Sequence, residues 1–176
     1  MGTEQDSGKF RNFAIAFLKE AKEDIDSGED LFECKRYSRA AFFSQQAVEK
    51  AVKALLEMEQ VFVAEHDLSR FFLKFIFNNK GYAGFKKETQ EILECLYYFE
   101  GEASKTRYPQ EKDGKIVIPS EIYKSEDARI SLDKANEAYN GINNILLKKF
   151  NLNIDYVGPK IEPAKEKPKK AGKTTK

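Results

Sequence analysis

The sequence predicts an all-α protein, an up-and-down antiparallel bundle of four to five helices. All five prolines follow residue 108, so a long proline-free stretch opens the chain. Within it, apolar residues recur at helical spacing rather than in the alternation of strands. Four long amphipathic segments and a short one must bury their apolar faces against each other, and short connections favour packing between sequential neighbours.

Each helix is placed by its apolar periodicity and by the turn signals that flank it. Gly28 is the expected stop of the first helix, Asp67 or Ser69 the expected cap of the third, and Ser125 the expected N-cap of the last. In the loop 104–124, the pair Asp113-Gly114 predicts a short hairpin. Helices are predicted over residues 9–26, 30–60, 67–79, 85–103 and 126–150.

Composition and charge favour one folded domain over residues 1–157 and a Lys/Pro-rich tail over residues 158–176, which is expected to be disordered. The chain carries a net charge of +1. The tail holds seven lysines and two glutamates, so the rest of the chain is mildly acidic. This distribution argues against a strongly basic nucleic-acid-binding domain. No long apolar run or signal peptide occurs, so we expect a cytoplasmic protein without a membrane partner.

The potential metal ligands and nucleophiles are few. Cys34 and Cys95 are expected to be reduced, partly buried thiols, and with a single histidine no zinc pattern exists. Glycine motifs of nucleotide-binding loops and the GxSxG motif are also missing from the sequence. We therefore predict no metal, no cofactor and no catalytic residue.

The stretch 37–58 is predicted to be the central helix, because its alanines allow neighbouring helices to approach closely. Its opposite side carries a polar stripe, which either faces solvent or lines a cleft for a phosphate-bearing ligand. Glu49 and Lys53 form a favourable i, i+4 pair. The stripe consists of Arg39, Gln46, Lys50 and Lys53.

Two further positions have both a functional and a structural interpretation. His66 is the only imidazole, and it either contacts a ligand or anchors the turn before the third helix through local backbone bonds. Arg107, followed by Tyr108-Pro109, could bind phosphate with its guanidinium fork. It could equally cap the fourth helix or pair with an acidic neighbour.

Three pieces of the sequence, taken in order, resemble the HEPN domain family. They are the alanine-rich helix 38–56, His66-Asp67-Leu68, and Thr106-Arg107-Tyr108-Pro109 before the last helix. The resemblance covers roughly residues 9–150. It implies a helical bundle, usually homodimeric, similar to the helical domains that accompany small nucleotidyltransferases. Members of the family are nucleotide-binding partners of such enzymes, components of toxin–antitoxin pairs, or metal-independent ribonucleases.

The ribonuclease branch of the family carries an R-x(4–6)-H motif, and this sequence departs from it. No histidine follows Arg107 in residues 108–114. Without a proton-transfer partner, the resemblance implies binding of a nucleotide or of RNA more than cleavage. The positions carried over as candidate phosphate contacts are Arg39, Gln46, Glu49, Lys50, Lys53, His66, Arg107 and Tyr108.

The leading hypothesis is a noncatalytic, homodimeric HEPN protein that binds a nucleotide or RNA phosphate and acts with a separate nucleotidyltransferase protein. One alternative is a divergent ribonuclease that uses His66 and Arg107. Another is a structural module whose long loop and basic tail recruit protein partners.

Overall fold

In a computed structural model, described over residues 4–102 and 104–153, the chain forms a helical bundle with one small hairpin. The predicted all-α bundle is confirmed. The four long helices are α1 (Glu4–Glu33), α2 (Tyr37–Met58), α4 (Lys86–Glu102) and α6 (Ser125–Phe150). The short elements are α3 (Ser69–Phe72), a π-helical turn (Leu73–Phe77), a 3-10 turn (Lys80–Phe85), strands β1 (Gln110–Lys112) and β2 (Lys115–Val117), and α5 (Pro119–Ile122).

Helix α2 is central, as its alanines predict. It packs chiefly against α1 and α6 and also contacts α4 and α5. Ala40, Ala47, Ala51 and Ala54 are fully buried, and their short side chains let two neighbours approach at once. None of the helices in the described part of the chain combines the length and the apolar character needed to cross a bilayer.

The predicted helix stop at Gly28 is wrong, because α1 continues through it to Glu33. A Cβ atom at Gly28 would lie 3.1 Å from Leu132 Cδ2 and 3.4 Å from the Ala40 carbonyl oxygen. Glycine therefore serves close helix packing here and does not end the helix. The chain turns at Lys35, in the left-handed region with φ of 59°, so the helix predicted from residue 30 begins only at residue 37.

The two cysteines differ more than expected. Cys34 is an exposed free thiol in the turn after α1, so its predicted partial burial in a helix is wrong. Cys95 is buried, and its thiol donates to the Lys134 carbonyl oxygen at 3.4 Å. Burial raises the pKa of the Cys95 thiol to about 12, which makes it an inert core group at neutral pH.

The predicted helix caps are also wrong. The backbone N–H of Ser69 donates to the Glu100 carboxylate of α4 at 3.0 Å, so the cap of α3 comes from a distant residue. Lys124 is the N-cap of α6, and its N–H donates to the Asp127 carboxylate at 2.8 Å. Ser125 is the first residue inside that helix.

The hairpin prediction is confirmed. Strands β1 and β2 pair antiparallel, with Glu111 opposite Ile116. Asp113 and Gly114 have φ of 53° and 73°, the left-handed conformations that a two-residue hairpin turn requires.

The helices predicted over 67–79, 85–103 and 126–150 lie within about two residues of the observed segments, although α5 was not predicted. The tail 158–176 lies outside the described residues.

Candidate functional site

An open cleft of about 480 Å³ lies where the α1–α2 turn meets the loop after α4 and helix α5. We call it the arginine cleft. It contains Arg39 and Arg107, two of the predicted contacts, together with Lys35 and Arg36. Its size falls within the range of small-molecule sites. The full lining is Lys35, Arg36, Tyr37, Ser38, Arg39, Arg107, Pro109, Ile118, Pro119, Ser120 and Tyr123.

The charge of the arginine cleft has one sign. Its lining, among the described residues, includes four cationic side chains and no carboxylate. None of these four cations forms an ion pair with another described residue. Unpaired cations that converge on a concave surface attract an anion and raise its local concentration.

The backbone of the α1–α2 turn brings Lys35, Arg36 and Arg39 to the cleft. Lys35 reverses the chain in the left-handed conformation, and the Arg36 N–H donates to the Leu31 carbonyl oxygen at 2.8 Å. Helix α2 then starts at Tyr37, so a tight turn presents the cations of residues 35–39 together at the cleft.

The Arg107 side chain is held from the other side of the cleft. Its guanidinium lies over the Phe42 ring, with 5.2 Å between the guanidinium carbon and the ring centroid. The Nε atom is buried and has no hydrogen-bond partner within the described residues. Neither of the structural roles considered for Arg107 is observed: it pairs with no described acid and caps no described helix-4 carbonyl. Its two terminal guanidinium nitrogens form no hydrogen bond with a described residue and are not buried, so they remain available for an oxyanion.

Tyr123 also lines the cleft, although it is largely buried. Its O–H donates to the Glu102 carboxylate at 2.7 Å, and Lys105 pairs with the same carboxylate at 2.5 Å. Burial, and then the hydrogen bond to Glu102, raise the pKa of Tyr123 well above its ordinary value. The hydroxyl stays protonated at neutral pH and so cannot serve as a ready proton acceptor.

His66 lies in a different place. Its Nδ1 atom is 2.9 Å from the Glu49 carboxylate, which also accepts from Lys53 Nζ at 2.9 Å. The anchoring partner is thus a helix side chain instead of the linker backbone. The cavity beside His66 measures about 20 Å³, enough for about one water molecule. This group forms a polar contact between the linker and α2, and it offers no cavity for a nucleotide.

The remaining predicted contacts are separated from one another. Lys50 turns toward α1, where its Nζ lies 2.6 Å from the Asp24 carboxylate and 3.6 Å from Glu20. Gln46 is half-buried, and its amide nitrogen has no partner within the described residues. Tyr108 follows Arg107 and is 63% exposed. The polar stripe of α2 is therefore neither a solvated face nor a single cleft wall.

Sequence reasoning missed Lys35, Arg36 and Tyr123 as cleft residues. The run Lys35-Arg36-Tyr37-Ser38-Arg39 carries three cations in five positions, which was an available signal. It was hidden because this run was assigned to the interior of one continuous helix. The described residues contain no group of three or more His, Cys, Asp or Glu side chains arranged to hold a metal ion.

Fold and cleft together define the class: a small helical bundle with a cation-lined cleft at one end. The chain belongs to the HEPN domain family, whose model matches residues 14–145. The resemblance drawn from the sequence is thereby confirmed.

Individual relatives agree with this membership. The chain is 30% identical over 148 residues to "Putative toxin MJ1304" of Methanocaldococcus jannaschii, a match that covers 84% of this chain and 97% of the relative. It also resembles the crystal structure of ST0689, described as an archaeal HEPN homologue. That match has a TM-score of 0.56 and 25% identity, over 74% of this chain and 95% of that one.

A second solved structure supports the fold alone. The protein TT1696 from Thermus thermophilus matches with a TM-score of 0.56 and 18% identity, over 74% of this chain and 96% of that one. At this identity, the likeness extends to the arrangement of helices and carries no statement about ligands.

Proposed function

We propose that this HEPN protein binds a phosphate group of a nucleotide or of RNA in the arginine cleft, without cleaving it. The single observation that supports the proposal is the lining of the cleft, which among the described residues has four unpaired cations and no carboxylate. Phosphate is the common biological oxyanion that matches a guanidinium fork. The cleft is also large enough to hold more than a phosphate group alone.

Binding is favoured over cleavage by the proton chemistry of the cleft. RNA cleavage by its 2′-hydroxyl needs a group that takes a proton and one that stabilises the pentavalent phosphorus. Arg107 could serve the second purpose, but the described lining of the cleft holds no histidine, and Tyr123 remains protonated. The R-x(4–6)-H motif of the ribonuclease branch is missing from the sequence around Arg107.

The alternative of a ribonuclease that uses His66 and Arg107 requires these side chains to share one substrate. Their contact residues on α2, Glu49 and Phe42, lie two helical turns apart, or roughly 10 Å along the axis. The cavities beside them have no described lining residue in common. This alternative predicts RNA degradation that both His66→Ala and Arg107→Ala abolish.

The proposed setting is a toxin–antitoxin-like pair in which a separate nucleotidyltransferase is the partner protein. Its support is HEPN membership and similarity to a relative whose name describes a toxin. Co-purification with a minimal nucleotidyltransferase encoded beside this chain is the expected result. If the two proteins elute separately at micromolar concentration, this setting is wrong, although phosphate binding in the cleft would be unaffected.

We further propose that the protein is a homodimer, on the basis of HEPN membership. Light scattering of the pure protein is expected to give twice the mass of one chain, which is 20.2 kDa. A monomer mass throughout the micromolar range would contradict this assembly.

Calorimetry tests the central proposal. The four ribonucleoside triphosphates and an eight-nucleotide RNA are titrated into the pure protein and into Arg107→Ala. At least one ligand should release heat with the wild type and bind at least about tenfold more weakly to the variant, since a hydrogen bond to a charged group contributes about 1.5–3 kcal/mol.

Arg129→Ala is the matched control for that titration. Arg129 is an exposed cation that, like Arg107, lies over an aromatic ring, here Phe32, but it lines a different cavity. Its removal should leave binding unchanged. If no ligand binds the wild type, or if both variants weaken binding equally, the arginine cleft is not a phosphate site.

A further inference from the structure

A second cavity, on the outside of the bundle, has a lining quite different from that of the arginine cleft. It measures about 270 Å³ and lies between the first half of α1 and the end of α2, where the linker to α3 begins. We call it the aromatic pocket. Its lining consists of Lys9, Phe10, Phe13, Phe17, Glu57 and Phe62.

Glu57 is an unusual group to find in such a pocket. It is only 5% exposed, and burial raises the pKa of its carboxyl above the ordinary value. Its backbone carbonyl oxygen accepts from the Gln60 N–H at 2.9 Å, but its carboxylate forms no hydrogen bond with a described residue, and no described cation lies within 4.0 Å of it. Lys9 also lines the pocket, and its charge lowers the pKa of Glu57, but the two groups do not pair. A carboxylate that is largely shielded from water and lacks a counterion is unfavourable, so a cation bound at this position would be stabilising.

The four phenylalanines favour the same kind of ligand. The face of an aromatic ring carries partial negative charge and attracts an ammonium group. The ring surfaces also pack well against the aliphatic stem of a lysine. We infer that the aromatic pocket binds the side chain of a lysine from a partner protein, with its ammonium group against Glu57 and its stem between the phenylalanine rings.

The exposed phenylalanines at the edge of the aromatic pocket favour a protein segment over a small amine as the ligand. Phe62 is 76% exposed and Phe13 is 48% exposed, although both line the pocket. A small amine would fill the interior and leave these rings in water. Apolar residues that flank a lysine in a protein segment would cover them, which removes further apolar surface from solvent. The inference does not depend on the phosphate-binding proposal, because the two cavities share no described residue.

The test uses fluorescence anisotropy with the full chain and two labelled peptides. One peptide is Gly-Leu-Lys-Leu-Gly, and the other carries norleucine in place of lysine, which keeps the aliphatic stem and removes the charge. We expect the lysine peptide to bind about tenfold more tightly. Glu57→Gln keeps the size of the side chain and should abolish this preference. Phe62→Ala, at a position exposed enough not to affect folding, should weaken the binding of both peptides.

Two control variants and one competitor complete the design. Ile116→Ala removes an apolar side chain of similar exposure from the hairpin, 70% against 76%, and should change nothing. Arg107→Ala should also leave peptide binding intact, so failure of this inference is separable from failure of the phosphate proposal. n-Butylammonium chloride, a small cation that is not part of a peptide, should compete at least tenfold more weakly than the unlabelled lysine peptide.

The inference is overturned by any of four results. These are equal or tighter binding of the norleucine peptide, a lysine preference that survives Glu57→Gln, competition by n-butylammonium as strong as by the peptide, and no binding of either peptide at millimolar concentration.

Discussion

The arginine cleft makes a quantitative prediction about how salt affects RNA binding. For single-stranded nucleic acid, log K falls with log salt concentration with a slope of about −0.7 for each phosphate contact. If Lys35, Arg36, Arg39 and Arg107 each neutralise one phosphate, the cleft contributes about −2.8 to the slope. A rise from 50 to 200 mM KCl then weakens binding about 50-fold. Arg107→Ala should make the slope shallower by about 0.7, and Arg39→Ala with Arg107→Ala by about 1.4.

The assay is fluorescence anisotropy with a labelled eight-nucleotide oligouridylate at four KCl concentrations from 50 to 200 mM. The tail over residues 158–176 has seven lysines, which can add phosphate contacts of their own. They are present in every variant, so the difference between slopes reports on the cleft alone. Arg129→Ala provides the control for removing a cation elsewhere.

Equal slopes for the wild type and the double variant would refute this reasoning, because RNA would then be held by cations outside the cleft. A slope near zero in the wild type would refute it as well. A loss of affinity in the double variant without a change of slope would indicate that the arginines act through packing, such as the contact of Arg107 with Phe42, and not through phosphate contacts.

Three further predictions concern stability, each measured by urea unfolding. Burial raises the pKa of Glu100 above its ordinary 4.5, so the folded state holds this proton to higher pH than the unfolded chain does. The free energy of unfolding should therefore fall as pH rises through the raised pKa, and Glu100→Gln should flatten that fall; an unchanged pH profile would contradict it. Tyr82→Phe removes a buried hydroxyl that donates to a glutamate at 2.6 Å. It should lower stability by about 1.5–3 kcal/mol, whereas Tyr97→Phe, at a position 51% exposed, should have little effect. Gly28→Val should lower stability by about 1–3 kcal/mol through overpacking. Gly101→Ala, in α4 with open space around its Cβ, should raise it by about 0.5–1 kcal/mol. Equal effects of the two glycine substitutions would show that helix propensity, and not packing, governs Gly28.

Several features followed from the sequence because their causes are local. Apolar spacing predicted the helices that became α4 and α6 to within about two residues. The Asp113-Gly114 pair predicted the hairpin, since a two-residue turn needs left-handed conformations at both positions. The alanines of α2 predicted its central place. The ordered motifs were also enough to place the chain in the HEPN family.

The capping and turn errors share one physical cause. Glycine often ends a helix, but at Gly28 the helix continues. Helices α2 and α6 pack so close to this position that a residue without a side chain is favoured there. The cap of α3 comes from Glu100, far along the chain, so no local pattern could reveal it. Where a distant group supplies a contact, local propensity is overridden by packing.

The sequence by itself determined which side chains carry charge and which helical face each occupies. The tertiary structure alone decided which charges remain unpaired. Lys50 and Arg39 lie on one stripe of α2, yet Lys50 is neutralised by Asp24 because α1 packs beside it. Arg39 instead lines the arginine cleft, together with Arg107 from a loop that is distant in sequence. Helical periodicity determines the direction in which a side chain leaves its own helix. Which residue it contacts in that direction depends on how the helices pack.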